Sequence, residues 1–120
     1  MSTAKGRSGE DRACQYLQLR GYSILGRNLR LARGELDIVA RRGDLLVFIE
    51  VKAHKSRESG LLAGSGDKCA RLQSAALAWM GQHPEAAGLQ CRFDLIILTP
   101  RLGLPAWLPP HIEHMKDIIR

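Results

Sequence analysis

Three charged residues interrupt or directly follow apolar segments of this 120-residue sequence. Asp37 lies within "GELDIVA", and Glu50 and Lys52 come directly after the apolar run "LLVFI". Burying an ionised carboxylate is costly unless a cation or hydrogen bonds compensate for the lost water. Two neighbouring carboxylates also repel each other, and a divalent cation such as Mg²⁺ or Mn²⁺ would relieve both costs because it prefers oxygen ligands. A lysine beside such a site can orient a water or stabilise charge that develops on a phosphate.

The strands that carry these residues must bring them together. Side chains alternate along a strand, so Glu35 and Asp37 share one face of their strand, as do Glu50 and Lys52 of theirs. The connection "RRGD" at Arg41–Asp44 predicts an antiparallel hairpin, in which all four side chains converge at one end of a sheet. An ion pair between Glu50 and Lys52 at a sheet edge, without metal, is the structural alternative.

The surrounding pattern predicts one α/β domain over residues 1–120, with a mixed sheet covered by helices. A first helix is capped by Ser8 and stopped by Gly21, and a second carries Leu72, Ala75, Ala76, Trp79 and Met80 on its buried side. The predicted strands are Tyr22–Leu31, Glu35–Ala40, Leu45–Ala53 and Cys91–Pro100, the second helix runs from Asp67 to Gly81, and a short segment covers Ile112–Ile119. Residues 54–66 are rich in Gly and Ser and predict a long functional or mobile loop.

The formal net charge of +6 lies entirely in the first half of the chain. Residues 1–57 contain 12 Lys and Arg against 6 Asp and Glu, a surplus of 6, and residues 58–120 contain 6 of each. A basic field attracts polyanions, so nucleic acid is the expected partner, and a solvated basic face is the plain alternative. The sequence has no apolar run of the roughly 18 residues that span a bilayer, and we expect a cytoplasmic protein without a membrane partner.

The cysteines and most histidines carry no predicted chemistry. The three cysteines are odd in number and never paired as C-x-x-C, so we interpret Cys14, Cys69 and Cys91 as small core residues. The histidines at 83, 111 and 114 show no ligand spacing with the acids.

The order of "GELD", a hairpin and "EVK" resembles the core motif of the PD-(D/E)-x-K nuclease superfamily. Nearly the whole chain resembles the uncharacterised bacterial YraN family, which has a restriction-endonuclease-like fold. The segments that carry this resemblance are "GEDRACQYLQLRGYSILGRNLR", "GELDIVA", "VFIEVKAHKS", Lys68 at the head of the second helix, and "CRFDLIIL".

The resemblance implies a role for each matching residue. Asp37 and Glu50 would bind the metal together with the Val51 carbonyl, and Lys52 would be the catalytic lysine. Glu35 would be a supporting acid. Glu10 has apolar neighbours at helical spacing, which points it toward the sheet, although an acid favoured by the helix dipole in the first turn is an equal alternative.

These implications predict a Mg²⁺- or Mn²⁺-dependent phosphodiesterase on nucleic acid, with DNA as the expected substrate. The residues expected at the nucleic acid are Arg27, Arg30, Arg33, Arg41, Arg42, His54, Lys55 and Lys68. His54 stands where the family usually has a fixed positive charge. No pattern indicates base readout, so we expect selectivity for branched or flapped DNA, and a homodimer could make paired cuts. A non-catalytic nucleic-acid-binding protein and an enzyme acting on RNA are the alternatives.

Overall fold

Two helices and five strands make up the regular structure of the described residues, which are 4–31, 34–53, 66–101, 103–105 and 107–119 of the computed structural model. The helices are α1 (Ala4–Leu19) and α2 (Gly66–Gln82), and the strands are β1 (Ser23–Leu31), β2 (Gly34–Arg42), β3 (Leu45–Ala53), β4 (Gln90–Thr99) and β5 (His111–Met115). A 3₁₀ turn spans Pro84–Ala86. In these parts of the chain, neither helix has the length and hydropathy needed to cross a membrane.

The five strands form one mixed sheet in the order β1-β2-β3-β4-β5. The predicted hairpin is confirmed, since β2 pairs antiparallel with β3 and Arg42 faces Leu45 next to the turn. β3 and β4 are parallel, and the outer pairs β1–β2 and β4–β5 are antiparallel. This α/β architecture confirms the predicted fold class and is consistent with a restriction-endonuclease-like fold.

Each helix covers one face of the sheet. Ala13, Cys14 and Leu17 of α1 belong to one buried cluster, and Leu72, Ala75 and Trp79 of α2 belong to the other. The predicted buried side of α2 is confirmed, with Met80 only partly buried. Because β3 is covered on both faces, it reads in sequence as a continuous apolar run instead of an alternating one.

Two predictions from sequence are wrong in detail. The first helix begins at Ala4 and not at the predicted cap Ser8, although it does stop before Gly21, whose φ of +88° suits glycine. The three cysteines are free, but Cys91 is exposed and Cys69 is half-buried, so only Cys14 is a core residue. An apolar side chain near a strand or helix end need not face the core, because burial depends on which face the tertiary packing covers.

Gly34 lets the start of β2 pass directly against the backbone of α2. A Cβ atom at this position would lie 2.3 Å from the carbonyl oxygen of Arg71 and 3.3 Å from the Cβ of Ala75. Real Cβ atoms do not approach backbone oxygens that closely, so any other residue would separate the strand from the helix. The part of α2 around Arg71 is thereby held near the end of β2 that carries Asp37.

Candidate functional site

Asp37 lies where β2 and β3 part. The two strands pair from Arg42↔Leu45 as far as Ile38↔Ile49, and the pairing ends there. Asp37 Oδ2 accepts a hydrogen bond of 2.8 Å from the backbone N–H of Val51. A side-chain carboxyl therefore replaces a backbone acceptor of the ladder and lies between the two strands.

The alternation of side chains along β2 is interrupted at this residue. Leu36 packs in the α2 cluster, whereas Ile38 packs in the α1 cluster. Residues two apart on a regular strand point to the same face, so the backbone is irregular around Asp37. This irregularity directs the carboxyl toward β3 and not fully onto either covered face.

Burial is the main electrostatic influence on Asp37. Loss of water, reinforced by the negative charges of Glu10 and Glu50, raises the pKa of this carboxyl to about 6. The hydrogen bond from Val51 and the charge of Lys52 act in the opposite direction without cancelling the increase. Glu50, Val51 and Lys52 of the predicted motif therefore modify the ionisation of Asp37 together with Glu10.

Glu50 and Lys52 form the predicted ion pair on β3. Lys52 Nζ lies 2.9 Å from Glu50 Oε1, and the two side chains are only 18% and 17% exposed. Because they are two residues apart on one strand, both project from the same face. The structure thus contains the contact that the metal-free alternative required, directly beside Asp37.

Glu10 places a third carboxylate next to this group. Its side chain is 7% exposed, and Oε2 has no hydrogen-bond partner among the described residues. Burial raises the pKa of Glu10, and a hydrogen bond from Asn28 and the charge of Arg27 counter only part of that effect. Since α1 begins at Ala4, Glu10 lies beyond the first turn, and the helix-dipole interpretation of this residue is wrong.

Asn28 is a neighbour that sequence reasoning missed. Its φ of +52° lies in the left-handed region, which asparagine tolerates better than most side chains. From this position on β1 its side chain hydrogen-bonds Glu10 and so fixes one end of the buried carboxylate. An asparagine that precedes "LRL" in a strand was the only signal for it in the sequence.

The donor chemistry of these residues fits a divalent cation such as Mg²⁺ or Mn²⁺. Three carboxylates approach one another in a partly dehydrated region, and one oxygen of Glu10 lacks a partner within the part of the chain that is described. As the side chains stand, no three acids, histidines or cysteines in that part are close enough to hold an ion together. Carboxylate oxygens prefer hard cations, so the chemistry matches, but binding would require the acids to move closer.

Glu35 lies outside this group. It is exposed and forms an ion pair of 3.1 Å with Arg30. Arg27 likewise pairs with Asp11 at the surface of α1. Two of the arginines expected at nucleic acid are therefore partly neutralised by neighbouring acids.

The remaining basic residues of the prediction are spread over the molecule. Arg41 and Arg42 lie at the hairpin end of β2, roughly 13 to 17 Å along the strand from Asp37. Arg42 stacks over the ring of Tyr22 at 4.4 Å, and Arg41 donates to the carbonyl of Gly43. Lys68 lies in the first turn of α2, whereas three predicted residues fall outside the described ones: Arg33, His54 and Lys55.

A second charged network, centred on Asp94, was not predicted. This fully buried carboxylate accepts two hydrogen bonds of 2.8 Å from Arg92 and one of 3.0 Å from the amide of Asp117. His114 Nε2 lies 2.7 Å from it, and Tyr16 contacts the other ring nitrogen of His114 at 3.1 Å. The sequence did not predict that His114 would contact an acid.

The network keeps Asp94 ionised despite its burial. Burial acts to raise the pKa of this carboxyl, but hydrogen bonds from His114, Arg92 and Asp117 outweigh it and hold the pKa below its usual value. In the sequence, only the position of Asp94 directly before the apolar run "LIIL" indicated that this acid could be buried. The bonds connect α1, β4 and β5, which indicates a structural role for this group.

Comparison with known proteins identifies relatives over most of the chain. The profile of the "Uncharacterised protein family UPF0102" matches residues 9–98. A UPF0102 protein of Nitrobacter winogradskyi is 43% identical over 107 residues, which cover 89% of this chain and 86% of that protein. A UPF0102 protein of Bradyrhizobium diazoefficiens is 41% identical over 89% of this chain and 77% of its own, and one of Methylorubrum extorquens is 40% identical over 95% and 85%.

Proposed function

Given that this chain belongs to the UPF0102, or YraN, family, we propose that it is a metal-dependent nuclease that hydrolyses phosphodiester bonds in nucleic acid. The names of its relatives state no activity, so the proposal rests on the site. The observation that carries it is the half-buried Asp37 carboxyl between the diverging strands β2 and β3, with Glu10, Glu50 and Lys52 around it. Acids with raised pKa values beside a lysine are typical of catalytic sites.

Each residue has a distinct role in this proposal. Asp37 and Glu50 would hold Mg²⁺ or Mn²⁺, with the Val51 carbonyl as a further ligand, and the unpartnered oxygen of Glu10 offers an additional donor. The ion would supply Lewis-acid activation of the phosphate and a water of lowered pKa. Lys52 would orient the attacking water or donate a hydrogen bond to the charge that develops on the phosphate.

DNA is the proposed substrate, and recognition would act through its backbone. The charge surplus of the first half of the chain favours a polyanion. Selectivity for flapped or branched DNA fits a protein without an evident element for base readout. From the sequence we also propose that the protein acts in the cytoplasm and that it can form a homodimer.

The second candidate function is a nucleic-acid-binding protein without catalysis. One observation favours it: Lys52 lies 2.9 Å from Glu50, so the ion pair alone can account for both charges. In that case Asp37 would act mainly as the acceptor for Val51.

A titration of Mg²⁺ and Mn²⁺ against linear, flapped and four-way DNA tests the proposal. Protein purified in parallel as Asp37→Asn serves as the control for contaminating nucleases. Cleavage that depends on metal and is absent from Asp37→Asn supports the nuclease. Binding without cleavage of any DNA in the panel supports the second candidate.

A further inference from the structure

A cleft lies between the outer side of α1, the strand β5 and the end of the β4–β5 connection. We call it the α1–β5 cleft, and its volume is about 360 Å³. Arg12 and Tyr16 line it from α1, and Arg20 lines it from just after the end of that helix. Arg101 of the connection and His111 of β5 complete the polar part of the lining. The cleft lies on the outer side of α1, away from Glu10, which faces the sheet.

The lining of the α1–β5 cleft is strongly basic. Three arginines line it together with His111, and no acidic residue does among the residues that the structure describes. Arg27, Arg30, Lys52 and Arg92 each meet a carboxylate elsewhere in the molecule. Within the described ranges, by contrast, none of the three cleft arginines forms an ion pair.

Two of these arginines are held in place by their neighbours. The guanidinium of Arg20 stacks over the ring of Tyr16 at 4.0 Å, and the hydroxyl of Tyr16 contacts His114. Arg101 donates through Nε to the carbonyl of Pro109 at 3.0 Å, which leaves its terminal N–H groups for another acceptor. A guanidinium that is already oriented loses less conformational entropy when it binds an anion.

We propose that the α1–β5 cleft binds a backbone phosphate of the nucleic acid, at a place distinct from the phosphate at the acids. The inference rests on the proposed substrate class but not on catalysis. Planar guanidinium groups form paired hydrogen bonds with phosphate oxygens. A cleft lined by arginines without a compensating acid attracts such an anion through both charge and geometry.

The position of the cleft on α1 relates it to the acids. Glu10 faces the sheet, and Arg12 follows it by two residues, which is about 200° around a helix of roughly 10 Å diameter. A DNA duplex carries one phosphate charge per ~1.7 Å of its axis. One duplex therefore carries many phosphates besides the one at the acids, and another of them is the proposed ligand of the cleft.

The test compares DNA binding by the double variant Arg12→Ala/Arg101→Ala with wild-type protein. The probe is a short fluorescent duplex in EDTA, titrated at several salt concentrations so that no cleavage contributes. Loss of phosphate contacts should reduce the steepness of log K against log salt by about 1 to 2 units. Arg71→Ala is the matched control, because Arg71 is an exposed arginine on α2, over the opposite face of the sheet.

The Arg101→Ala substitution also removes the hydrogen bond from Arg101 to Pro109, so a second variant that keeps this bond is needed. Arg12→Glu leaves that contact intact and should weaken binding more than Arg71→Glu does. An unchanged salt dependence in both cleft variants would overturn the proposal, as would a wild-type protein that binds neither DNA nor RNA.

Further arms separate other anions from nucleic acid. Inorganic phosphate and an acidic peptide are each titrated into wild-type protein and Arg12→Glu. If Arg12→Glu binds either of them more weakly than the wild type but binds DNA equally well, the cleft is a site for those anions and the proposal is wrong. A reduced salt slope in the variants of a wild type that never cuts DNA would retain this inference and reject only the nuclease.

Discussion

The carboxyl of Asp37 serves the amide of Val51 as a hydrogen-bond acceptor at 2.8 Å, in place of the backbone carbonyl that a continuous β2–β3 ladder would supply. The contact ties an acid whose pKa is raised by loss of water to the strand that carries Glu50 and Lys52. It also means that ionisation of Asp37 and the stability of the fold are linked.

The metal-free protein should lose stability as Asp37 ionises. Its folded-state pKa of about 6 lies above the ordinary value of 3.8, so the stabilisation is present below about pH 4 and is lost as the pH rises through 6. Asp37→Asn keeps an acceptor for Val51 and removes this titration. The difference in unfolding free energy between variant and wild type should grow by up to about 3 kcal/mol between pH 4 and 7.5, measured by urea denaturation in EDTA. Parallel pH profiles of the two proteins would contradict this expectation.

Glu50→Gln should abolish binding of Mg²⁺, because it removes one of the two charges proposed to hold the ion. Isothermal titration calorimetry of wild type and variant measures the effect. Glu85→Gln is the control, since Glu85 is an exposed acid in the 3₁₀ turn and lies outside the acidic group. Equal Mg²⁺ affinity in Glu50→Gln and wild type would exclude Glu50 as a ligand.

Lys52→Ala should separate the enzyme from the binding protein. If Lys52 acts on the water or the phosphate, the variant still binds DNA and metal but cuts about 10² to 10³ times more slowly. Single-turnover cleavage at saturating Mn²⁺ gives the rate, and DNA binding is measured in parallel. Equal cleavage rates in variant and wild type would assign Lys52 a structural role as the partner of Glu50.

Asp94→Ala should strongly destabilise the fold without a specific effect on metal binding. The substitution leaves Arg92 and His114 without their common acceptor in a buried position, and breaking a buried pair typically costs about 3 to 5 kcal/mol. Urea denaturation at pH 7 measures the loss, with Glu85→Ala as the surface control. A loss as small as that of the control would mean that water or a local rearrangement replaces Asp94.

The sequence predicted what depends on local pattern. The turn at Arg41–Asp44, the long apolar run of β3 and the buried side of α2 each follow from residue spacing, and the structure agrees with them. The location of Asp37 and Glu50 near each other follows from the hairpin. These features follow from the geometry of single strands, helices and turns.

The remaining features depend on contacts between distant segments. Asp94 meets His114 only because β4 pairs with β5 in one register, and no pattern in the sequence specifies that register. The position of Glu10 beyond the first turn depends on where α1 begins, and helix starts are weakly determined by a single cap. The cleft arginines come from two segments, α1 with its end and the β4–β5 connection, so charge composition alone could not bring them together.

The close approach of Gly34 to Arg71 has a mechanical consequence. No side-chain atoms lie between the strand and the helix backbone at that point, so there is nothing compressible to absorb a displacement. Extended strand transmits movement along its length, and Asp37 follows only three residues after Gly34. A displacement of α2 at this junction is therefore passed to the start of β2. The close contact also restricts how far the Asp37 carboxyl can move from its neighbours.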